Sequence, residues 1–421
     1  MITLKKHSLF LLCCAAACFA LLVPACQPDV NPEPKPAPQT EWISRPEAFQ
    51  QNYTLDQMVV LSRHNIRSPL TGKGSAISRI TPHEWFEWTS RPGELSRKGA
   101  ILEAQMGQFF GLWMIDEGLW ECNAIPSEGQ VRFYANSMQR TIATARSFAA
   151  TFLPMADISV EHHYPVGIMD PVFTPALTRD DDEFVQTATA QAGLQDMPSD
   201  QTIKLLERVL DIRHSPAAKG DTSAFCTTDM QLSMVAGDEP RMKGGLHLAM
   251  SAADALTLQY YEDPDDRTSA FGKHLTHRQR IDIADLINWY RTVLFGSETV
   301  SRNVSAILAD TVADELETPG RVFSFLCGHD SNQFSLLTAI DAEETNTPIG
   351  GKLVIVKWKG FDGEYYASLD YVYASDSQLR TMEQLDMSNP PQHYSISLRG
   401  LDANPDGLYL MSDVISRLRS F

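Results

Sequence analysis

Ser62-Arg63-His64-Asn65-Ile66-Arg67-Ser68-Pro69 sets two guanidiniums around one imidazole, directly after the apolar run Gln57 to Ser62. Cations crowded in this way call for an anion, and an imidazole among them supplies a nucleophile or a base. A surface loop whose arginines pair with acidic neighbours explains the motif taken alone, because this chain is rich in acids. Two further segments weaken that reading. Gly328-His329-Asp330-Ser331-Asn332 follows a second apolar run and opens a helical stretch, and Arg140 lies in the first turn after a third, Val131 to Ala135. In open α/β sheets ligands gather at the carboxyl ends of strands. The three segments are therefore expected to bring His64, His329, Arg63, Arg67, Arg140 and Asp330 to one sheet edge. Such a set suits phosphoryl transfer without a metal. Arginines bind phosphate oxygens bidentately, an imidazole can attack phosphorus, and a carboxylic acid can protonate the departing alkoxide. The acid must hold its proton when it acts, and burial beside a dianionic phosphate is expected to raise its pKa.

The elements that must position these groups read as strands alternating with helices. Strands are expected at Gln57 to Ser62, Val131 to Ala135, Arg321 to Cys327, Lys352 to Trp358 and Tyr365 to Tyr373. Glu94 to Glu117 places Leu95, Ile101, Leu102, Met106, Phe109, Phe110 and Trp113 near one helical face. Ser137 to Phe152 is a second helix, with Asn136 or Ser137 as its N-cap, and Ser331 to Ile340 a third. From about Leu153 to Gly296 the text turns to loops, prolines and helical stretches such as Gln201 to Arg213 and Leu246 to Tyr261. The pattern is an α/β core interrupted by a mostly helical insertion that could cap a site. Its expected boundaries are 46–153 and 297–421 for the core and 154–296 for the cap.

Arg63-His64-x-x-Arg67-x-Pro69 together with His329-Asp330 resembles the histidine acid phosphatases, a branch of the histidine phosphatase superfamily. The likeness runs from about residue 50 to 415 and takes in Tyr134 to Ala145, Leu256 to Glu262, Gly328 to Asn332 and Thr347 to Lys352. The usual pattern of the family has glycine after the first histidine. Asn65 there is similar to the glucose-1-phosphatase subgroup rather than to the broad phytases. The resemblance implies a phosphoglycerate-mutase-like α/β core sheet with helices on both faces and a helical cap. It also implies a double displacement in which His64 is the nucleophile, Asp330 the proton donor, and Arg63, Arg67, Arg140 and His329 bind phosphate. No metal or organic cofactor is expected. An inositol polyphosphate phosphatase of phytase type uses the same chemistry. A lipid-anchored sugar-phosphate-binding protein would need the cations but gains nothing from Asp330, and a phosphoglycerate-mutase-like transferase would rarely meet its substrate outside the cell.

Other clusters carry less. Asp180-Asp181-Asp182-Glu183 lacks the glycine and spaced oxygens of a calcium loop and reads as a solvated turn. His162-His163 and His274-x-x-His277 have no flanking carboxylate pattern for a metal. Gly72-Lys73-Gly74-Ser75 lacks the upstream glycine of a P-loop, no Gly-x-Ser-x-Gly occurs, and Trp85, Trp88 and Trp113 default to packing. A role for Glu262 near the pocket rests on likeness alone.

Of 421 residues, 43% are hydrophobic and 21% charged, which excludes a disordered tail or a disulfide-stapled miniprotein. Residues 1–25 read as a lipoprotein signal. Lys5 and Lys6 form its positive end, Leu9 to Val23 its apolar stretch, and Val23-Pro24-Ala25-Cys26 its cleavage site. Cys26 is the expected lipidated residue, and 26–45 a proline-rich tether. The expected location is exported and membrane-anchored, in the periplasm or at the cell surface. Removing the signal leaves 33 basic against 53 acidic side chains, a charge of −20 that argues against nucleic acid as a partner. The expected partners are thus a small phosphomonoester and a membrane. Cys122, Cys226 and Cys327 permit at most one disulfide, and Cys327, inside an apolar run, reads as a buried small hydrophobe.

Overall fold

The computed structural model describes residues 47–71, 74–194, 197–218, 230–265 and 267–421. The signal, the tether, Cys26, Lys73 and Cys226 lie outside these residues. The chain begins with α1 (Glu47–Asn52), β1 (Tyr53–Arg63), α2 (Arg97–Asp116), β2 (Val131–Ala135), α3 (Gln139–Phe152) and β3 (Val160–Glu161). Next come α4 (Asp182–Gln191), α5 (Asp200–Leu210), a hairpin of β4 (Gln231–Ser233) and β5 (Arg241–Lys243), α6 (Gly245–Glu262) and α7 (His277–Phe295). The remainder is α8 (Glu298–Glu317), β6 (Phe323–Gly328), α9 (Asp330–Ala339), β7 (Lys352–Gly360), β8 (Tyr365–Tyr373), α10 (Asp376–Thr381), β9 (Gln392–Ser395), β10 (Tyr409–Leu410) and α11 (Met411–Leu418).

The main sheet runs β10-β8-β7-β1-β6-β2-β3, with β9 also paired to β8. Its β1, β6, β2 and β3 are mutually parallel, whereas β7 to β10 join antiparallel. Strand periodicity sorts the side chains. Met58 and Val60 of β1 with Phe323 and Phe325 of β6 face α2 and α3, where they meet Met106, Phe110 and Phe148. Val59 and Leu61 with Leu326 face the other way, toward Leu308 and Val312 of α8 and Leu336 of α9. The core is an α/β layer structure with helices on both faces of a mixed sheet. Cys327 is fully buried in the first of these layers, where burial pushes its thiol pKa far up.

Helices α4 to α7 form a separate core from Leu206, Leu210, Ala249, Ala252, Leu286 and Val293. Helix α7 was not legible in the sequence, although Thr276 and Gln279 give it a full capping box. Within 154–296 the short strand β3 pairs with β2 and extends the main sheet. Asp181 of the acidic run caps α4 by accepting from Phe184 N and binds Arg179. Trp113 is buried on α2, and the Trp85 indole donates to Ile77 O. Among the described residues no helix is long and apolar enough to cross a membrane.

Candidate active site

Three parallel strands end side by side, and each delivers part of the constellation. Arg63 is the last residue of β1, His329 follows β6 directly and Arg140 lies in the first turn of α3 after β2. Register aligns them: Arg63 pairs with Gly328, and Ala135 with Cys327. His64 N donates to Gly328 O at 3.1 Å, and the His64 and His329 rings lie edge to face with centroids 5.4 Å apart.

The His64 loop is braced from α2. Ser96 N donates to Ile66 O, and a Cβ on Gly99 would fall 2.4 Å from that same oxygen, so only glycine lets the helix approach this closely. The imidazole of His64 is 6% exposed and its Nδ1 donates to Asn65 O at 2.8 Å. This fixes the proton on Nδ1 and leaves the Nε2 lone pair free. Burial, then Arg140, His329, Arg67 and Arg63, hold its pKa well below the usual histidine value, so the ring is neutral.

His329 is oriented by Asn136. Asp170 N donates to Asn136 Oδ1 at 2.9 Å, which turns the amide nitrogen toward His329 Nε2 at 2.8 Å. The His329 proton therefore sits on Nδ1, and Arg140 Nη2 lies 3.4 Å from that atom. Two donors facing each other cannot satisfy one another, and an anion placed between them accepts from both. Neither Asn136 nor Ser137 takes the expected N-cap role. Met138 occupies the cap position without a side-chain bond, because the Asn136 amide is engaged by His329 and Asp170 while Ser137 Oγ accepts from Tyr164 N.

The guanidiniums surround the two rings. Arg63 donates to Thr347 O at 2.6 Å and lies 3.5 Å from Asp330 Oδ2. Arg67 donates to Asp254 Oδ2 on α6 at 3.0 Å. Burial and Arg67 push Arg140 down to about 10. The Nε atoms of Arg63 and Arg140 are buried without a partner among the described residues. Gly328 permits the turn into α9, since a Cβ there would meet Asn332 Oδ1 at 2.5 Å and the Phe173 ring at 2.9 Å.

Sequence reasoning missed a fourth arginine and an acid. Arg291, on α7, is 3.9 Å from Asp330 Oδ2 and donates to Thr347 Oγ1 and Asn288 Oδ1. Asp254 comes from α6. Both reach the site from the helical region by tertiary packing, and no local motif marks either. Burial raises the pKa of Asp330, but Arg63 and Arg291 outweigh it and keep the carboxyl well below the carboxylate range. The expectation of a raised value does not describe the free site; a dianion bound among the arginines would offset those cations. Glu262 lies apart, accepting from Ser96 Oγ at 2.7 Å. His163 stacks on Tyr134 at the surface.

A cavity of about 530 Å³ opens beside the cluster, lined by the charged Arg67, Asp254, Arg291 and Asp330 together with the apolar Leu70, Ile77, Leu248 and Phe295. Among the described residues no group of three or more His, Cys, Asp or Glu is arranged to hold a metal ion.

Residues 54–233 match the family model of the histidine phosphatase superfamily, branch 2. A glucose-1-phosphatase of Salmonella typhimurium is 37% identical, over 85% of this chain and 90% of the relative. One of Providencia rettgeri is 33% identical over 96% of each. The apo phytase of Hafnia alvei superposes with a TM-score of 0.81 at 25% identity, covering 90% of this chain and 98% of the phytase. With sheet, strand-end motifs and relatives in agreement over nearly the whole length, the chain belongs to branch 2 of the histidine phosphatase superfamily and is a phosphatase.

Proposed function

We propose that this phosphatase hydrolyses sugar phosphates such as glucose-1-phosphate through a phosphohistidine on His64. The observation that carries the reading is the ring of His64, locked with its proton on Nδ1 and its Nε2 free beside Arg63, Arg67, Arg140 and His329. The four cationic and donor groups bind the phosphate oxygens and spread the charge that develops on them. The Nε2 lone pair attacks phosphorus in line, the phosphorus–oxygen bond to the sugar breaks, and Asp330 gives its proton to the departing oxygen. In the second step Asp330, now a carboxylate, takes a proton from water as that water attacks the phosphohistidine. Phosphate leaves and His64 returns to its neutral form.

The cavity wall favours a neutral leaving group. Asp254 neutralises part of Arg67, and Leu70, Ile77, Leu248 and Phe295 add apolar lining. A polyphosphorylated inositol would bring further anions against Asp254. The helices α6 and α7, within the 154–296 cap, act as the leaving-group wall. The two glucose-1-phosphatase relatives support the same substrate class. Lys5 and Lys6, the apolar Leu9 to Val23 and the small residues before Cys26 support export and lipidation at Cys26, with 26–45 as the tether.

The test is phosphate release from glucose-1-phosphate and from inositol hexakisphosphate across acidic to neutral pH, with His64→Ala as control. The expected result is preferential release from glucose-1-phosphate and none in the variant. Stoichiometric binding without release from any monoester would refute the enzyme reading in favour of a binding protein.

A further inference from the structure

Three buried polar side chains beside the His64 loop take no part in the chemistry above. Asn65 is 4% exposed, and Glu103 of α2 and Lys352 of β7 are fully buried. Asn65 Nδ2 donates to Glu103 Oε2 at 2.9 Å, and Glu103 Oε1 forms an ion pair with Lys352 Nζ at 2.8 Å. Lys352 Nζ donates to Gly350 O at 2.6 Å, and Gly350 N donates to His64 O at 3.3 Å. The circuit closes at the imidazole itself, because His64 Nδ1 donates to Asn65 O. The Asn65 amide has only one orientation, since its Oδ1 accepts from Ile66 N at 2.8 Å.

We propose that the Asn65–Glu103–Lys352 circuit is a positioning device that holds the carbonyl reading the His64 Nδ1 proton, and so fixes the tautomer that can attack phosphorus. The circuit grips the two successive peptides that follow the nucleophile, at His64 O through Gly350 N and at the Asn65–Ile66 peptide through Asn65 Oδ1. Glycine at position 350 is required by the same packing. Its φ is +66°, and a Cβ there would lie 2.5 Å from Asn65 Nδ2. A buried ion pair is poor value as bulk stabilisation compared with well-packed apolar residues, and its best-attested use is to impose one geometry. An apolar trio of the same volume would leave the Asn65 peptide free to rotate, and with it the Nδ1 acceptor. The Nε2–H tautomer thereby released has no lone pair toward phosphorus.

The inference rests on His64 as nucleophile and is tested with two variants of the full chain. Asn65→Ala removes the link at the loop. Glu103→Gln combined with Lys352→Met removes both charges together, so that neither is left unpaired. Two kinetic readouts are taken: the burst of alcohol from an activated aryl phosphate, which reports phosphoenzyme formation, and inhibition by inorganic phosphate, which reports the arginine cup. Nitrogen-15 NMR of the His64 ring gives its tautomer. The expected result is a fall of tenfold or more in the burst rate, phosphate affinity within twofold of the parent, and loss of the pure Nδ1–H tautomer. A burst rate within twofold of the parent overturns the inference, as does a fall accompanied by an unchanged tautomer or by an equal loss of phosphate affinity. His64→Ala separates the two claims. If it retains turnover, the nucleophile assignment fails; if it is inactive while the circuit variants behave as the parent, only the positioning role fails.

Discussion

Replacing Arg291 by Met removes one of the two cations that keep Asp330 ionised in the free site, and the consequence can be worked from a single distance. Arg291 Nη1 lies 3.9 Å from Asp330 Oδ2. At an effective dielectric of about 20, unit charges near 4 Å apart interact by about 4 kcal/mol, and in bulk water by about 1 kcal/mol. The Asp330 side chain is 31% exposed toward the cavity, so solvent screening places the effect between these limits. Divided by about 1.36 kcal/mol per unit, this is an upward pKa shift of about 1 to 3 units. The sign follows from the role. With Asp330 as the proposed proton donor, activity falls as pH rises through its pKa, and removing a nearby cation raises that pKa. The alkaline arm of the kcat profile for glucose-1-phosphate, which reports the substrate complex, therefore moves to higher pH in Arg291→Met. The relevant arm is the one that disappears in Asp330→Asn. Arg291→Lys retains the charge and leaves the arm near its original position. An arm that stays within about 0.3 units or moves to lower pH in Arg291→Met refutes the electrostatic argument. An equal shift in Arg291→Lys would assign the effect to geometry rather than charge.

Asp330→Asn should slow glucose-1-phosphate by about 100- to 10,000-fold, the usual worth of a general acid, and 4-nitrophenyl phosphate by less than about tenfold, because that leaving group departs unprotonated. Equal losses on the two esters remove Asp330 from the acid role. Asp254→Asn should raise kcat/KM for inositol hexakisphosphate relative to glucose-1-phosphate by about tenfold at low salt, with the gain fading at high salt, where charges are screened; a ratio unchanged at both ionic strengths rejects Asp254 as a discriminator. The two histidines also shape stability. Burial first and Arg140 next hold the pKa values of His64 and His329 well below 6.5. Below pH 6.5 the unfolded chain gains protons that the folded site does not, so stability falls as pH falls, by up to about 2.7 kcal/mol per unit from the pair, until the folded-state values are reached. Denaturant titrations at pH 7 and 5 should show this slope reduced by about half in His64→Ala, and an unchanged slope counts against the neutral, buried state of the ring.

What the sequence disclosed depended on whether the information was local. Strands β1, β2, β6, β7 and β8 are legible because each is a short apolar run, and β1 in particular alternates Met58 and Val60 against Val59 and Leu61 toward two different layers. The strand-end cluster of histidines and arginines was legible for the same reason. Each member lies within five residues of a strand end, and parallel strands in register bring those ends together. Strands β3 and β10 are two residues long, too short to carry a period. Helix α7 interleaves Arg280, Asp282 and Asp285 with its apolar positions and gives only a weak stripe.

Arg291 and Asp254 show the limit from the other side. Neither sits in a motif, and each acquires meaning only when α6 and α7 pack over the carboxyl edge of the sheet and bring a charge to within 3.9 Å of Asp330 and 3.0 Å of Arg67. Those contacts divide the labour. In the proposed mechanism sheet-borne groups bind and attack phosphorus, which any monoester presents alike. Groups carried by the helical region set the charge beside Asp330 and line the adjoining cavity, the proposed space for the leaving group, where substrates differ. Substitutions in α6 and α7 should accordingly change which ester is preferred and at what pH, while substitutions at the strand ends should lower turnover of all esters together.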